Sequence, residues 1–152
     1  MSIDAKIAIK LPNMDVYKKA VDVTQPEMLK SALFIRQEML KRLETGRDIF
    51  LKPFKPYAKS TKEYKKEMRK NPNIVNMEDS GQMINSLRTN AKVNRSIVDI
   101  ANAQRRKIAD KHMEGRGVPK RAWFGSSQKT VKKVIADIRK IMDQHIRRAN
   151  AK

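Results

Sequence analysis

Apolar residues recur at three- and four-residue intervals in two long stretches, one towards each end of the chain. The first follows Thr24, which suits a helix N-cap, and Pro26, which suits the first turn, and Gly46 is a natural stop. Its periodic positions are Leu29, Ala32, Leu33, Arg36, Met39, Leu40 and Leu43. The second starts at Ser126 or Ser127, with the stripe Val131, Val134, Ile135, Ile138, Ile141, Met142, His145 and Ile146. Both patterns predict amphipathic helices with one buried face.

Alternating apolar and polar residues predict strands elsewhere. Ile3, Ile7 and Ile9 indicate an N-terminal strand with one buried face, and residues 14–23 fit neither period, so they form either a second extended piece or an arm. Residues 88–93 and 96–100 flank a turn at Asn94-Arg95 and predict a hairpin whose apolar positions are Val93, Ile97 and Ile100.

Three shorter helices are predicted between these elements. Ser60 and Thr61 are expected to cap a charged helix that extends to residue 69, with Tyr64 and Met68 as its apolar residues. The other two are a short helix capped by Asp79 or Ser80, with Met83, Ile84 and Leu87 on its apolar side, and a helix over residues 103–113. A stiff, extended connector over residues 53–57 precedes the charged helix, because two prolines flank an aromatic residue: Pro53, Phe54 and Pro56.

Residues 115–127 follow no period and hold three of the five glycines and the only tryptophan. Gly115 and Gly117 permit positive φ angles, and Pro119 fixes its own φ. The apolar run around Trp123 and Phe124 can insert into a core, and Gly125 ends it before the last helix. The segment is interpreted as a loop held by buried aromatic residues, with an ordinary loop-to-helix junction as the simpler alternative.

With 152 residues the chain is expected to form a single domain, in which residues 1–23 are the N-terminal strand and arm and residues 24–152 the core.

The net charge of the chain narrows the range of possible binding partners. Its 35 Lys and Arg against 16 Asp and Glu give a formal charge of +19, which favours nucleic acid, an acidic protein or a membrane face as partner. The side of the last helix opposite its apolar stripe is basic, and we expect it to meet phosphate or acidic protein unless it is only solvated. This basic face is defined by Lys132, Lys133, Arg139, Lys140, Arg147 and Arg148.

Several classes of protein are disfavoured. The absence of cysteine excludes a disulfide scaffold and a thiolate metal site. No signal peptide or membrane-spanning run is recognised, so a soluble protein made in a cytoplasm is expected. Asp99 with Lys107 is only a weak indication of a nuclease site, and neither a P-loop, a paired-histidine site nor a nucleophile elbow is found. Neither catalysis nor a cofactor is therefore predicted.

Three segments of the chain resemble the tail-completion and neck proteins of tailed bacteriophages, also described as virion-morphogenesis or minor tail proteins. Segment one, residues 53–61, is similar to that family's Phe, Pro, then Ser/Thr pattern before a helix containing lysine, here Lys65. Segment two, residues 79–87, is similar to a second pattern of that family: Asp, a small hydroxyl residue, Gly, an apolar residue, Ser and an apolar residue. The residues that match here include Ser80, Gly81 and Ser86. Segment three, residues 112–126, is similar to its His-x-x-Gly, Pro-x-Arg and Phe-Gly pattern, through His112, Gly115, Pro119, Arg121, Trp123, Phe124 and Gly125. Ile108 and Met113 depart from the family's usual aromatic and glutamine.

The resemblance implies an α+β protomer with a small curved antiparallel sheet packed by the long N-terminal and C-terminal helices. It further implies a structural virion protein without catalysis, made in the host cytoplasm. Such a protein forms a homo-oligomeric ring, hexameric or dodecameric, at the neck or tail. Its partners would be connector or portal-side proteins and tail-tube or tail-terminator proteins, with DNA passing through the channel and no membrane.

Two alternatives from other classes stay open at this point. A basic nucleic-acid-binding protein of host or phage would bind with steep salt dependence. A small nuclease would cleave DNA in a metal-dependent manner.

Overall fold

The chain folds into five helices and three strands in a computed structural model, which describes residues 6–10, 22–77 and 81–150. In chain order these are β1 (Lys6–Lys10), α1 (Gln25–Glu44), α2 (Lys59–Glu67), α3 (Gln82–Asn85), β2 (Leu87–Lys92), β3 (Arg95–Ile100), α4 (Ala103–Glu114) and α5 (Gln128–Asn150). The predicted α+β class is confirmed, with an antiparallel sheet and a long helix towards each end of the chain. Ile3, residues 11–21 and the predicted caps Asp79 and Ser80 lie outside the described residues.

The sheet is antiparallel, in the order β1-β3-β2. The predicted hairpin is confirmed: Leu87 pairs with Ile100, and the chain turns at Asn94, whose φ of 59° lies in the left-handed region. Of the apolar positions named for the hairpin, Ile100 is fully buried, Ile97 is only partly covered, and the fully buried Val98 was not among them. Val93 lies in the turn and is 51% exposed.

Helix α1 packs across β2 and β3. It begins after Thr24, whose amide and hydroxyl both donate to the Glu27 carboxylate, at 2.9 and 2.8 Å. The predicted stripe is confirmed in part: Ala32, Met39 and Leu43 are buried, whereas Leu29 and Leu33 are 37% and 50% exposed. The buried residues of α1 are Met28, Ala32, Ile35, Met39, Arg42 and Leu43. Apolar residues on α1 cover more than one face, and contact with the sheet decides which face is buried.

Helix α5 lies against α1. As predicted, it begins after Ser127, whose Oγ accepts a hydrogen bond from the Thr130 amide at 3.2 Å. The middle of the predicted stripe is buried, with Val134 and Ile138 each 1% exposed. Near its end, His145 Nε2 lies 2.9 Å from Glu27 Oε1, which joins α5 to the first turn of α1.

Helix α2 departs from the prediction in its cap and in its buried residue. Ala58 stands at its N-cap, whereas Ser60 and Thr61 lie inside the helix. Tyr64 is 44% exposed, but Lys65 is only 3% exposed. The lysine ammonium lies 4.7 Å from the centre of the Tyr57 ring in the preceding connector and donates a hydrogen bond to Asn76 Oδ1 at 3.4 Å.

Gly81 stands at the N-cap of α3 with a φ of 74°. The left-handed conformation costs an L-residue roughly 1–2 kcal/mol, and a β-branched side chain is the least tolerant of it. Gly81→Val should therefore destabilise the protein by about 1–3 kcal/mol, and Gly81→Asn by clearly less, since asparagine adopts this region more readily. Urea denaturation of the two variants measures the difference. Equal stabilities for Val and Asn would show that the conformation at Gly81 is not held in solution.

Candidate functional site

Trp123 and Phe124 hold the loop that follows α4 against the core. Trp123 is fully buried and Phe124 is 7% exposed, which confirms the predicted burial of both aromatic residues. Their rings meet edge to face, with centroids 5.5 Å apart. Buried Arg42 on α1 donates through Nη2 to the carbonyl oxygens of Trp123, at 2.5 Å, and Gly125, at 2.9 Å. The loop is thus attached to α1 by aromatic packing and by one guanidinium.

The connector before α2 contacts the same loop, which brings segments one and three of the sequence together. Arg121 Nη2 lies 3.5 Å from the Lys55 carbonyl oxygen in the connector. Just ahead of the connector, the Ile49 amide donates to the Ala122 carbonyl at 2.9 Å, and within the loop the Arg121 amide donates to the His112 carbonyl at 2.7 Å. Gly115 ends α4 with a φ of 80°, where an added Cβ would lie 3.0 Å from the Cβ of Lys120. Only glycine therefore allows the chain to fold back tightly enough for residue 121 to reach residue 112.

A cavity of about 240 Å³ lies where the connector, α2 and α4 meet. We name it the Tyr57 pocket, because Lys65 Nζ and Arg121 Cζ lie 4.7 and 5.5 Å from the centre of the Tyr57 ring. The residues that line it are Tyr57, Thr61, Tyr64, Lys65, Met77, His112 and Arg121. Two cations and an imidazole thus border one small cavity with aromatic walls.

Arg121 is the most unusual group in this pocket. It is 5% exposed, and its guanidinium contacts are long: Nη1 lies 3.5 Å from His112 Nδ1, and Nη2 lies 3.5 Å from the Lys55 carbonyl oxygen. Its Nε is buried without a hydrogen-bond partner among the described residues. Burial lowers the pKa of Arg121, opposed by Tyr57, but a guanidinium stays charged in a protein.

His112 contributes a neutral ring to the pocket at pH 7. Burial, reinforced by the nearby Arg121 guanidinium, lowers the pKa of His112 below its ordinary value. A neutral imidazole keeps one nitrogen as an acceptor, and the position of Arg121 Nη1, 3.5 Å from His112 Nδ1, fits an acceptor at Nδ1. An anion that entered the pocket would favour the protonated ring and reverse this shift.

Segment two of the sequence lies at a neighbouring cavity. Gly81 helps to line a space of about 200 Å³ with residues of α1 and α3, and Asn76 lines it too. Asn76 Oδ1 also accepts a hydrogen bond from Lys65 Nζ at 3.4 Å, so Asn76 links this space to the Tyr57 pocket. Ser86 caps the end of α3 by donating to the Met83 carbonyl at 2.6 Å. Ser80 lies outside the described residues.

The sequence indicated part of the Tyr57 pocket. His112 and Arg121 were singled out, and the two prolines and Phe54 shape the connector that carries Tyr57. Lys65 was expected only as a helix lysine, and its burial was missed because charge patterning places lysine in solvent. The sequence does contain one signal for this burial. Lys65 lies one helical turn after Thr61, and therefore on the same face of α2, and the aromatic Tyr57 lies four residues before Thr61 in the connector.

The basic face of α5 is exposed along its length, at all six of the predicted positions. Lys133 lies 3.6 Å from the Asp137 carboxylate and 5.4 Å from the centre of the Phe34 ring. The described residues include no counter-charge for the other five that would hold them as ion pairs. The face is therefore open to an anionic surface.

The two residues suspected of nuclease chemistry lie on different elements, Asp99 on β3 and Lys107 on α4. Asp99 pairs with Arg88 Nε at 3.4 Å, and Lys107 is exposed on α4. Among the described residues, no group of three or more His, Asp and Glu side chains could hold a metal ion. Likewise, no helix in the described part of the chain is long and apolar enough to cross a bilayer.

Comparison with known proteins found no match: neither a protein-family model, nor a curated protein, nor a solved structure is significantly similar to this chain.

Proposed function

We propose that this chain is a structural protein of a tailed bacteriophage that forms a ring at the head–tail junction or completes the tail for joining. The observation that carries the proposal is the exposed basic face of α5, presented by a long helix whose opposite side is packed on α1. One charged face on a rigid helix suits docking to an acidic neighbour or to DNA phosphates in a channel. The proposal also draws on the resemblance of the three sequence segments.

Exposed apolar residues support assembly into an oligomer. Phe50 is 68% and Leu51 45% exposed at the tip of a tight turn. The turn is firmly held, because the Asp48 carboxylate accepts hydrogen bonds from the amides of Phe50 and Lys52 at 2.9 and 2.8 Å. Apolar side chains that are fixed in solvent are typical of contact sites. A ring would bury them between protomers through heterologous contacts that close on themselves.

Reversing charge on the basic face should reduce joining without unfolding the protein. Exposed like charges steer association more than they stabilise a fold, and salt screens them over about 8 Å at physiological ionic strength. We expect the triple variant Lys132→Glu, Lys133→Glu, Arg139→Glu to melt close to the wild type and to lower the yield of joined particles. The assay mixes tails and heads in vitro across a range of salt concentrations.

The matched control places the same charge change elsewhere. Lys92, Arg95 and Lys107 are exposed and lie on the hairpin and α4, away from α5. Their triple change to Glu should leave joining near the wild-type yield. Normal yield for the α5 variant, or an equal loss in both variants, would contradict a specific role for this face.

A nucleic-acid-binding protein is the second candidate function, favoured by the charge of +19. The two candidates differ in their salt dependence and in their assembly. A phosphate-binding protein should bind duplex DNA with an affinity that falls steeply with salt. The proposed neck or tail protein should bind DNA weakly and without sequence preference, and negative-stain images of the purified protein should show rings. Tight, sequence-selective binding by a monomer would support the second candidate instead.

A further inference from the structure

We infer that the Tyr57 pocket is a binding site for a carboxylate on an extended segment of an acidic partner protein. The inference goes beyond the neck or tail role and does not depend on it, since binding can be measured on the isolated chain.

The first support is the buried charge of Arg121. A guanidinium has five N–H donors, and here the hydrogen-bond contacts of the Arg121 side chain are two interactions at 3.5 Å, with a neutral ring nitrogen and a backbone carbonyl. No carboxylate among the described residues lies within ion-pair distance of Arg121. A buried cation without a counter-charge is costly. An incoming anion would supply the charge that the described residues do not place beside Arg121.

The second support is the composition of the pocket. Lys65 lines the same cavity as Arg121 and adds a second positive charge, while Tyr57, Tyr64 and Met77 supply apolar walls. Such a surface suits a ligand with an anionic end on a hydrocarbon stem. The carboxylates of glutamate, aspartate and a chain terminus all have this form, and arginine binds carboxylates with two parallel hydrogen bonds.

The third support is size. The volume of about 240 Å³ is below the roughly 300–1,000 Å³ of pockets that hold drug-sized ligands and cofactors. It is nevertheless larger than a bare carboxylate needs. One acidic side chain with its adjoining backbone therefore fits the space better than a nucleotide does.

Burial and charge together identify the kind of partner. Arg121 and Lys65 are only 5% and 3% exposed, whereas duplex DNA presents its phosphates to cations that project from a surface. This chain itself has only 16 Asp and Glu against 35 Lys and Arg, so a different, acidic protein is the better source of the carboxylate. A flexible segment of a different, acidic protein can both reach into the pocket and be attracted to it.

The first test follows His112 in the wild-type protein by NMR. The probes are a capped hexapeptide with two adjacent glutamates, the same peptide with glutamines, sodium acetate, inorganic phosphate and a short duplex DNA. The glutamate peptide should bind saturably and raise the pKa of His112, because a nearby anion favours the imidazolium. By linkage, its affinity should increase as the pH falls through the His112 titration. Acetate should move the same resonance weakly, and the glutamine peptide should not.

The second test compares two lysines on α2. Lys65 is buried in the pocket, and Lys66 beside it is exposed, so Lys65→Met and Lys66→Met remove the same charge from different places. Lys65→Met should weaken binding of the glutamate peptide by about tenfold or more, and Lys66→Met by no more than about twofold. Thermal melting confirms that each variant is folded. If Lys65→Met does not fold, the wild-type titration of His112 decides by itself.

Three results would overturn the inference. The first is equal binding of the glutamate and glutamine peptides, and the second is equal weakening by the two lysine variants. The third is a His112 response to phosphate or duplex DNA without one to the glutamate peptide, which would identify a phosphate site instead.

Discussion

Trp123→Ala will destabilise the protein by about 3–5 kcal/mol, the usual cost of truncating a large buried aromatic residue. Trp123 has no exposed surface, and its ring packs edge to face on Phe124. The loss should lower the melting temperature by about 10–15 °C for a chain of this size. Differential scanning calorimetry measures the shift, and wild-type Trp123 fluorescence should be that of an indole shielded from water.

Trp123→Phe separates burial from hydrogen bonding in this prediction. The indole Nε1 is buried without a partner among the described residues, so phenylalanine removes an unsatisfied donor while keeping most of the ring. We expect Trp123→Phe to cost less than half as much as Trp123→Ala. An alanine variant that melts within about two degrees of the wild type would show that the loop does not depend on this side chain.

The elements that the sequence predicted best are those whose patterns are local. The boundaries of α1 and α5 follow from Thr24 and Ser127 as caps, and the hairpin turn follows from the Asn94 that adopts a positive φ. Each signal depends on residues within one or two turns of the chain. Local propensity and capping therefore identified these elements without knowledge of their tertiary contacts.

The buried faces were less predictable, because they depend on partners far away in sequence. On α1 the series through Leu29 and Leu33 has the same helical spacing as the series through Met28 and Ile35. The sheet selects the second series, and nothing in the helix itself distinguishes the two. The same limit explains β3, where contact with α1 buries Val98 while Ile97 stays partly covered.

The candidate site shows the same division. The sequence indicated the loop that carries His112 and Arg121, since its glycines, proline and aromatic residues interrupt both periods. It could not indicate that Lys65 is buried, because that depends on the Tyr57 ring covering it from the connector. The neck or tail role is a proposal, and the position of the basic face on the exposed side of α5 makes it testable.

Replacing Arg42 by methionine will release the same loop from α1. Arg42 is 7% exposed and donates to the carbonyls of Trp123 and Gly125, 81 and 83 residues further along the chain. Removing the donor leaves the buried Trp123 carbonyl unsatisfied, at about 1–3 kcal/mol, and removes a hydrogen bond from the part-buried Gly125 carbonyl. Burying the charge of Arg42 is itself unfavourable, and this burial lowers the pKa of Arg42. Because methionine carries no charge, the substitution removes that cost and so offsets part of the lost stability.

The net destabilisation expected for Arg42→Met is about 2–4 kcal/mol, measured by urea denaturation. Arg42→Lys should fall between wild type and Arg42→Met, because an ammonium can restore a hydrogen bond but lacks the planar fork that reaches two carbonyls. Lys41→Met is the matched control, because Lys41 is next to Arg42 in sequence but its side chain is exposed and pairs with Glu38 at 3.1 Å. This variant should change the free energy of unfolding by no more than about 0.5 kcal/mol. Quenching of Trp123 by acrylamide should increase in Arg42→Met and not in the control. If stability and quenching were both unchanged in Arg42→Met, the aromatic residues alone would hold the loop, and the guanidinium would contribute nothing to its position.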